Sequence, residues 1–233
     1  MKPKETMSNI PHKSDEWLEA LGEAHALTSY DTPLRPDAFQ LSEEEKIDQI
    51  AAHFHSIMEI LGLDLQDDSL QGTPRRVAKM YVKEIFSGLN PENFPAITLF
   101  ENPYQYGEIL VERDIHFHSN CEHHFVPIVG HVHVGYMSSG KVIGLSKLHR
   151  IVNHYARRPQ VQERMTIQIG RALQEALETQ DVAVIVDADH MCVSSRGIKD
   201  QSSSTVTSFF EGAFSDAEKR SEFLRLIELK HRS

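Results

Sequence analysis

The sequence has little cysteine: Cys121 and Cys192 are the only two among 233 residues. That excludes a disulfide-stapled scaffold, which needs several bridges. It also lacks any apolar run near the roughly 20 residues that cross a bilayer; the longest, residues 182–186, has the length of a strand. No membrane partner is expected. Residues 1–14 are polar and lysine-bearing with no apolar core, so no secretory signal is read there and a cytoplasmic, reducing location is expected. Positive charge is scarce as well. Lys and Arg number 24 against 34 Asp and Glu, a net charge of −10. General nucleic-acid binding rests on neutralising phosphates, so no nucleic-acid partner is expected. Any polyanionic ligand needs a local cationic pocket. Internal repeats and low-complexity tracts are absent too.

What little cysteine there is sits among histidines, in Cys121-Glu122-His123-His124 and His190-Met191-Cys192. Thiolate and imidazole together suit zinc, which takes soft sulfur and borderline nitrogen in one tetrahedral shell. Buried apolar cysteines are the plainer reading, and a Cys121–Cys192 disulfide is disfavoured in a reducing compartment. Two clusters that use every cysteine favour zinc. Two cysteines and one histidine leave a fourth position, closed in a structural site and open in a catalytic one. The histidines left over would be available for proton transfer. The clusters are far apart in sequence, so only the fold can join them.

Local patterns predict an α+β domain. Residues 1–41 carry Pro3, Pro11, Pro33 and Pro36 and read as an extension, with a short helix at 15–27. Ser42 and Glu45 form a capping box for a helix ending at Gly62. Thr73 caps a second, with Pro74 in its first turn, running to Phe86. Period-two stretches follow at 97–101, 107–118 and 125–136, with Ser138-Ser139-Gly140-Lys141 read as a hairpin turn. Ser146 caps a third helix to about Tyr155. A fourth spans 160–179, started by Pro159, with Met165, Ile169, Leu173 and Leu177 in one stripe. Strands at 182–188 and 203–210 and a helix at 216–229 complete the pattern.

Three basic pairs stand out in this acidic chain: Lys147 with Arg150 near a helix start, Arg196 with Lys199 just after Cys192, and Arg76 with Lys79. Singly each is an ordinary solvated cation. Together, with a helix N-terminus at Ser146, they make a phosphate pocket credible. Gln162 and Glu163 fall in a first helical turn, where a carboxylate is favoured by the helix dipole alone. A carboxylate there can also accept paired N–H bonds, such as guanine's N1 and exocyclic amine offer.

These segments, Cys121 to Phe125, Gly144 to Lys147, Arg158 to Arg164 and His190 to Gly197, with Thr73 to Tyr81, resemble the signature segments of the GTP cyclohydrolase I family, closest to its bacterial members. The resemblance covers about residues 42–230 in order. It implies a tunnelling fold (T-fold), an antiparallel sheet with a helix pair, preceded by N-terminal helices. The division implied is an extension at 1–41, then a catalytic domain at 42–233, helical over 42–95 and T-fold over 96–233. The reaction implied converts GTP and water to 7,8-dihydroneopterin triphosphate and formate, the first step toward tetrahydrofolate. Cys121, His124 and Cys192 would hold zinc, whose activated water attacks C8 of the purine. His123 and His190 would move protons, and Gln162 and Glu163 would hold the guanine. Ser146, Lys147, Arg150 and Arg196 would bind triphosphate, with Arg76 and Lys79 from a neighbouring subunit of a homodecamer of two pentamers.

Some positions depart from that pattern. His118 stands where a small hydroxyl residue is expected and Ser138 where a proline is common. With His131 and His133, the extra imidazoles leave a second metal-binding position open. Two other readings compete. A different enzyme of the same fold would use three histidines for zinc, or a catalytic cysteine without zinc, and this chain has neither arrangement. A non-catalytic zinc-stabilised nucleotide-binding protein would close the fourth position with His123 or His190, but the remaining histidines with Gln162 and Glu163 favour the enzyme.

Overall fold

The computed structural model describes residues 31–229; the helix expected at 15–27 lies outside them. Helix α1, Glu43–Ile60, opens with the predicted box. Ser42 Oγ accepts from the Glu45 amide at 3.3 Å and the Glu45 carboxylate accepts from the Ser42 amide at 2.8 Å. Helix α2, Thr73–Met80, is capped at Gly72 rather than Thr73, and continues as a π-turn over Tyr81–Ile85. That widened turn gathers aromatics: Tyr81 stacks on Phe86 with centroids 5.4 Å apart, and both meet Phe125.

The centre is a five-stranded sheet in the order β5-β2-β3-β6-β7, built from β2 (Leu110–Cys121), β3 (Pro127–Tyr136), β5 (Pro159–Gln160), β6 (Val182–His190) and β7 (Thr205–Phe210). All pairings are antiparallel except β2 with β5, which is parallel. A separate two-stranded sheet joins β1 (Leu99–Glu101) to β4 (Lys141–Ile143).

That pairing corrects the hairpin expected at Ser138–Lys141. The turn exists, with Gly140 at φ +112° and Ser138 Oγ donating to the Lys141 carbonyl at 2.7 Å. The strands on either side do not pair, because both edges of β3 are already taken by β2 and β6. Pro159 likewise begins no helix. It lies in β5 on the sheet's outer edge, where a missing amide donor costs no ladder bond.

Helices α3 (Leu145–Ala156) and α4 (Gln162–Leu177) cover one sheet face. The α4 stripe of Met165, Ile169, Leu173 and Leu177 is buried as predicted, with Leu148, Ile151 and Val152 of α3. They meet Ile115, Phe117, Val132, Val134, Val184 and Val186 in one core. On the opposite face, helix α6 (Ala217–Ile227) seats Phe223 beside Gly135, where any Cβ would come within 2.7 Å of its ring. Phe214, Phe223, Ala183, Ile185 and Ile109 form a second core there. The rest of that outer face stays open. No helix among the described residues is long and apolar enough to cross a membrane.

Candidate active site

The fold joins what the sequence separates. The loop 122–126 closes the β2–β3 hairpin, so Cys121 ends one strand and His123 and His124 stand just beyond it. Register pairs Ile128 of β3 with His190, the last residue of β6. The helical turn α5, Met191–Ser194, then brings Cys192 back over the hairpin end. The ligating atoms of Cys121, His124 and Cys192 all lie within 4.8 Å of one another.

This donor set fits a metal. Zinc bonds of roughly 2.0–2.3 Å put tetrahedral ligands about 3.5 Å apart, a small side-chain shift from the observed spacing. The thiols are crowded. Burial and the nearby Cys121 sulfur push the Cys192 thiol's pKa up, against the opposing pull of Arg196. A cation between the two sulfurs relieves the resistance of Cys192 to ionising. His123 Nδ1 lies 3.6 Å from Cys121 Sγ, beside the group.

The hairpin loop is pinned from several sides. The Cys121 amide donates to the Val126 carbonyl at 2.9 Å and the Phe125 amide to the Cys121 carbonyl at 2.8 Å. Phe125 sits at φ +54°, uncommon for a large side chain, and its ring packs on Phe86. Glu122 pairs with the buried Arg164, whose guanidinium also donates to Gln160 Oε1 at 3.0 Å and the Pro159 carbonyl at 3.2 Å. Sequence reasoning missed Glu122 and Arg164 as a unit. Their only signal was that each lies inside a motif singled out for its neighbours.

Gln162 is at the first turn of α4 as expected, but its side chain faces inward and is 1% exposed. Its Nε2 donates to the Val186 carbonyl at 3.1 Å and the Thr205 carbonyl at 2.8 Å. Carbonyls only accept, so the amide's orientation is fixed and Oε1 faces His190 Nε2 at 2.7 Å. His190 must donate there, which places the neutral ring's lone pair on Nδ1. Burial pushes the His190 pKa down, against the upward pull of Glu163 and Asp189. Glu163, the next residue on α4, is exposed near that imidazole. The side chain of Gln162 is thus committed to holding His190, where the sequence suggested contact with guanine.

The cationic residues divide. Arg196 lies near Cys192, within reach of its thiol electrostatically. Arg76 and Lys79 are exposed on α2, whose end docks through Tyr81 on Phe125. Ser146, Lys147 and Arg150 lie elsewhere. Helix α3 runs beside β2, with His149 bonded to Glu112 at 2.9 Å near one end and the Arg158 carbonyl just beyond α3 near Ser119 Oγ at 3.5 Å. Between Glu112 and Cys121 run nine residue steps of strand, up to about 30 Å. The N-terminus of α3 is therefore at the opposite end of the subunit from the cysteines. Ser146 is not the cap either; Gly144 takes that position without a side-chain bond, leaving the Ser146 hydroxyl exposed. Arg150 lines a cavity of about 240 Å³ with Asn153, His154 and Arg157.

Comparison with known proteins bears on this arrangement. The profile of the family described as GTP cyclohydrolase I matches residues 50–228, which include all three gathered ligands and both flanking histidines. The chain is 55% identical over 216 residues to "GTP cyclohydrolase 1" of Flavobacterium johnsoniae, covering 93% of this chain and 97% of that one. It is 51% identical over 206 residues to proteins of the same name from Escherichia coli O1:K1 / APEC and Shigella boydii serotype 18, covering 88% of this chain and 93% of theirs. A Cys-His-Cys group beside a histidine held by a buried glutamine thus occurs in a chain that shares half its residues with named enzymes, and this chain belongs to the GTP cyclohydrolase I family.

Proposed function

We propose that the protein converts GTP to 7,8-dihydroneopterin triphosphate and formate at a zinc centre held by Cys121, His124 and Cys192. The observation that carries this reading is the gathering of those three ligating atoms beside two spare histidines. When bound, zinc supplies the Lewis acidity that hydrolysis at a purine carbon needs. The protein's own groups do the rest. His190, held by Gln162 through Nε2, takes and returns protons at Nδ1. His123, at the loop surface, serves the proton transfers on the other side of the cysteines. Glu163 accepts two N–H bonds from guanine and thereby sets the purine against His190.

Triphosphate is bound by Arg196 from the metal end together with Ser146, Lys147 and Arg150 from another subunit's α3, and Arg76 and Lys79 add to it across a subunit boundary. One chain alone holds these groups too far apart, which supports a shared site. The assembly proposed is a homodecamer of two pentamers with the tunnelling fold, in which open sheet edges pair between copies. Residues 42–233 form the catalytic domain, helical over 42–95 and T-fold over 96–233, with 1–41 as an extension, and the protein works in the cytoplasm.

The test is incubation of the purified protein with GTP, assaying formate and the fluorescent oxidised pterin with and without a chelator. Chelator-sensitive production of both supports the reading. Formate without pterin would limit the protein to ring opening, and bound zinc without formate would make it a binding protein.

A further inference from the structure

Outside the site, the open half of the outer sheet face carries three imidazoles in one patch. His116 and His118 are two apart on β2, so both project from the same face, and both are exposed. His131 of β3 lies directly opposite His116 in the register. The His116 ring is 4.7 Å from that of His118 and 5.3 Å from that of His131, centroid to centroid. Beyond His131, Asp187 of β6 is its direct cross-strand partner and is exposed on the same face. His133 is not part of the patch, since its Nδ1 accepts from the Asp114 amide at 3.2 Å.

We propose that His116, His118 and His131, with Asp187 beside them, form a second metal site that takes a late first-row divalent ion such as Ni²⁺, Cu²⁺ or Zn²⁺. Three neutral imidazoles and a carboxylate are the donor set such ions prefer, and no thiol is needed. The strands hold the three Cα positions fixed, so binding orders only side chains. The rings now meet edge to face, and among the described residues only the Cys121 group has its ligating atoms gathered within 4.8 Å. Exposed imidazoles turn about χ1 and χ2 to converge. Partial desolvation and the two neighbouring rings hold the His116 pKa below its ordinary value, leaving its lone pair free at neutral pH. Asp187, adjacent to His131, either completes the shell or orients an imidazole N–H, as carboxylates commonly do around metal-bound histidine. A bound ion would tie β2 to β3 and so raise the melting temperature.

This site is independent of the reaction proposed above, and so is its test. The untagged full-length protein, loaded with one zinc per chain, is titrated with Ni²⁺ at neutral pH, read by calorimetry and by metal analysis after gel filtration. The expected result is one further equivalent per chain, lost in His116→Gln/His131→Gln. His118→Gln should weaken it about tenfold, and Asp187→Asn by a comparable factor. Cu²⁺ in place of Ni²⁺ should show nitrogen hyperfine structure in its electron paramagnetic resonance spectrum, absent in the double variant. All four positions are exposed, so the variants should keep the wild-type melting temperature without metal. If the double variant does not fold, the His118→Gln titration and the Cu²⁺ spectrum of the wild type decide. No uptake beyond the resident zinc, or equal affinity in wild type and folded variants, would overturn the proposal.

Discussion

At the hairpin end of the sheet, the polar groups behind the cysteines are held in place: Arg164 grips Glu122, Gln162 grips His190, and two carbonyls fix Gln162 in turn. At the N-terminus of α3, Ser146 and Arg150 stand exposed with Lys147 between them, and no side-chain cap bond is made. On the function proposed, the contrast follows from what each end would handle. Proton transfer and metal ligation need atoms fixed to within about half an ångström, so their supports are buried. A triphosphate brings its own charge and tolerates mobile cations, which cost no desolvation while they wait in water. On the function proposed above, one end is preorganised chemistry and the other a binding surface completed by a second copy.

The comparison breaks first at the metal. Cys192→Ser should abolish formate production and bring zinc content, read by metal analysis, close to nothing. His190→Ala should keep zinc and fold while lowering kcat about 10²–10⁴-fold; loss of metal instead would make His190 a ligand. Arg164→Met should cost about 3–5 kcal/mol in denaturant unfolding, because it removes the buried guanidinium that pairs with the Glu122 carboxylate, itself only 16% exposed. A cost below 1 kcal/mol would mean that the loop holds itself.

At the exposed end, Lys147→Ala should raise KM for GTP about tenfold, with kcat and melting temperature nearly unchanged. Mixing unfolded Lys147→Ala and Cys192→Ser chains and refolding them together should raise kcat/KM per Cys192-bearing chain above that of Lys147→Ala alone, since a shared site can then draw its intact halves from different copies. No rise would place both halves in one chain. Smallest of all, Ser42→Ala should cost about 1 kcal/mol of stability by removing a cap, and leave turnover alone.

Much of the site was legible in the residues, though unevenly. The Ser42 box, the α4 stripe and the Cys/His clusters were readable because each is a local pattern whose physics is complete within a few residues. Pairing was not. The Ser138 turn looked like a hairpin because turn chemistry is local, whereas strand partners depend on which edges are vacant. Pro159 looked like a helix start for the same reason, until β5 took it as an edge strand. Gln162 and Glu163 were found as a pair, but adjacent residues on a helix face different ways. The sequence therefore could not say that one turns inward to His190 while the other stays exposed.

What the sequence determined alone was the donor chemistry: two cysteines, both beside histidines, in an acidic chain with three short-spaced cationic pairs. Side-chain identity settles softness, charge and proton affinity before any folding. Only the tertiary structure decided distance. It brought Cys121 and Cys192, 71 residues apart in the chain, within reach of one metal by way of the β3–β6 register, while it sent Lys147 to the far end of β2. Separation along a chain carries no such information, because strand register and helix direction are fixed by burying the whole apolar core at once.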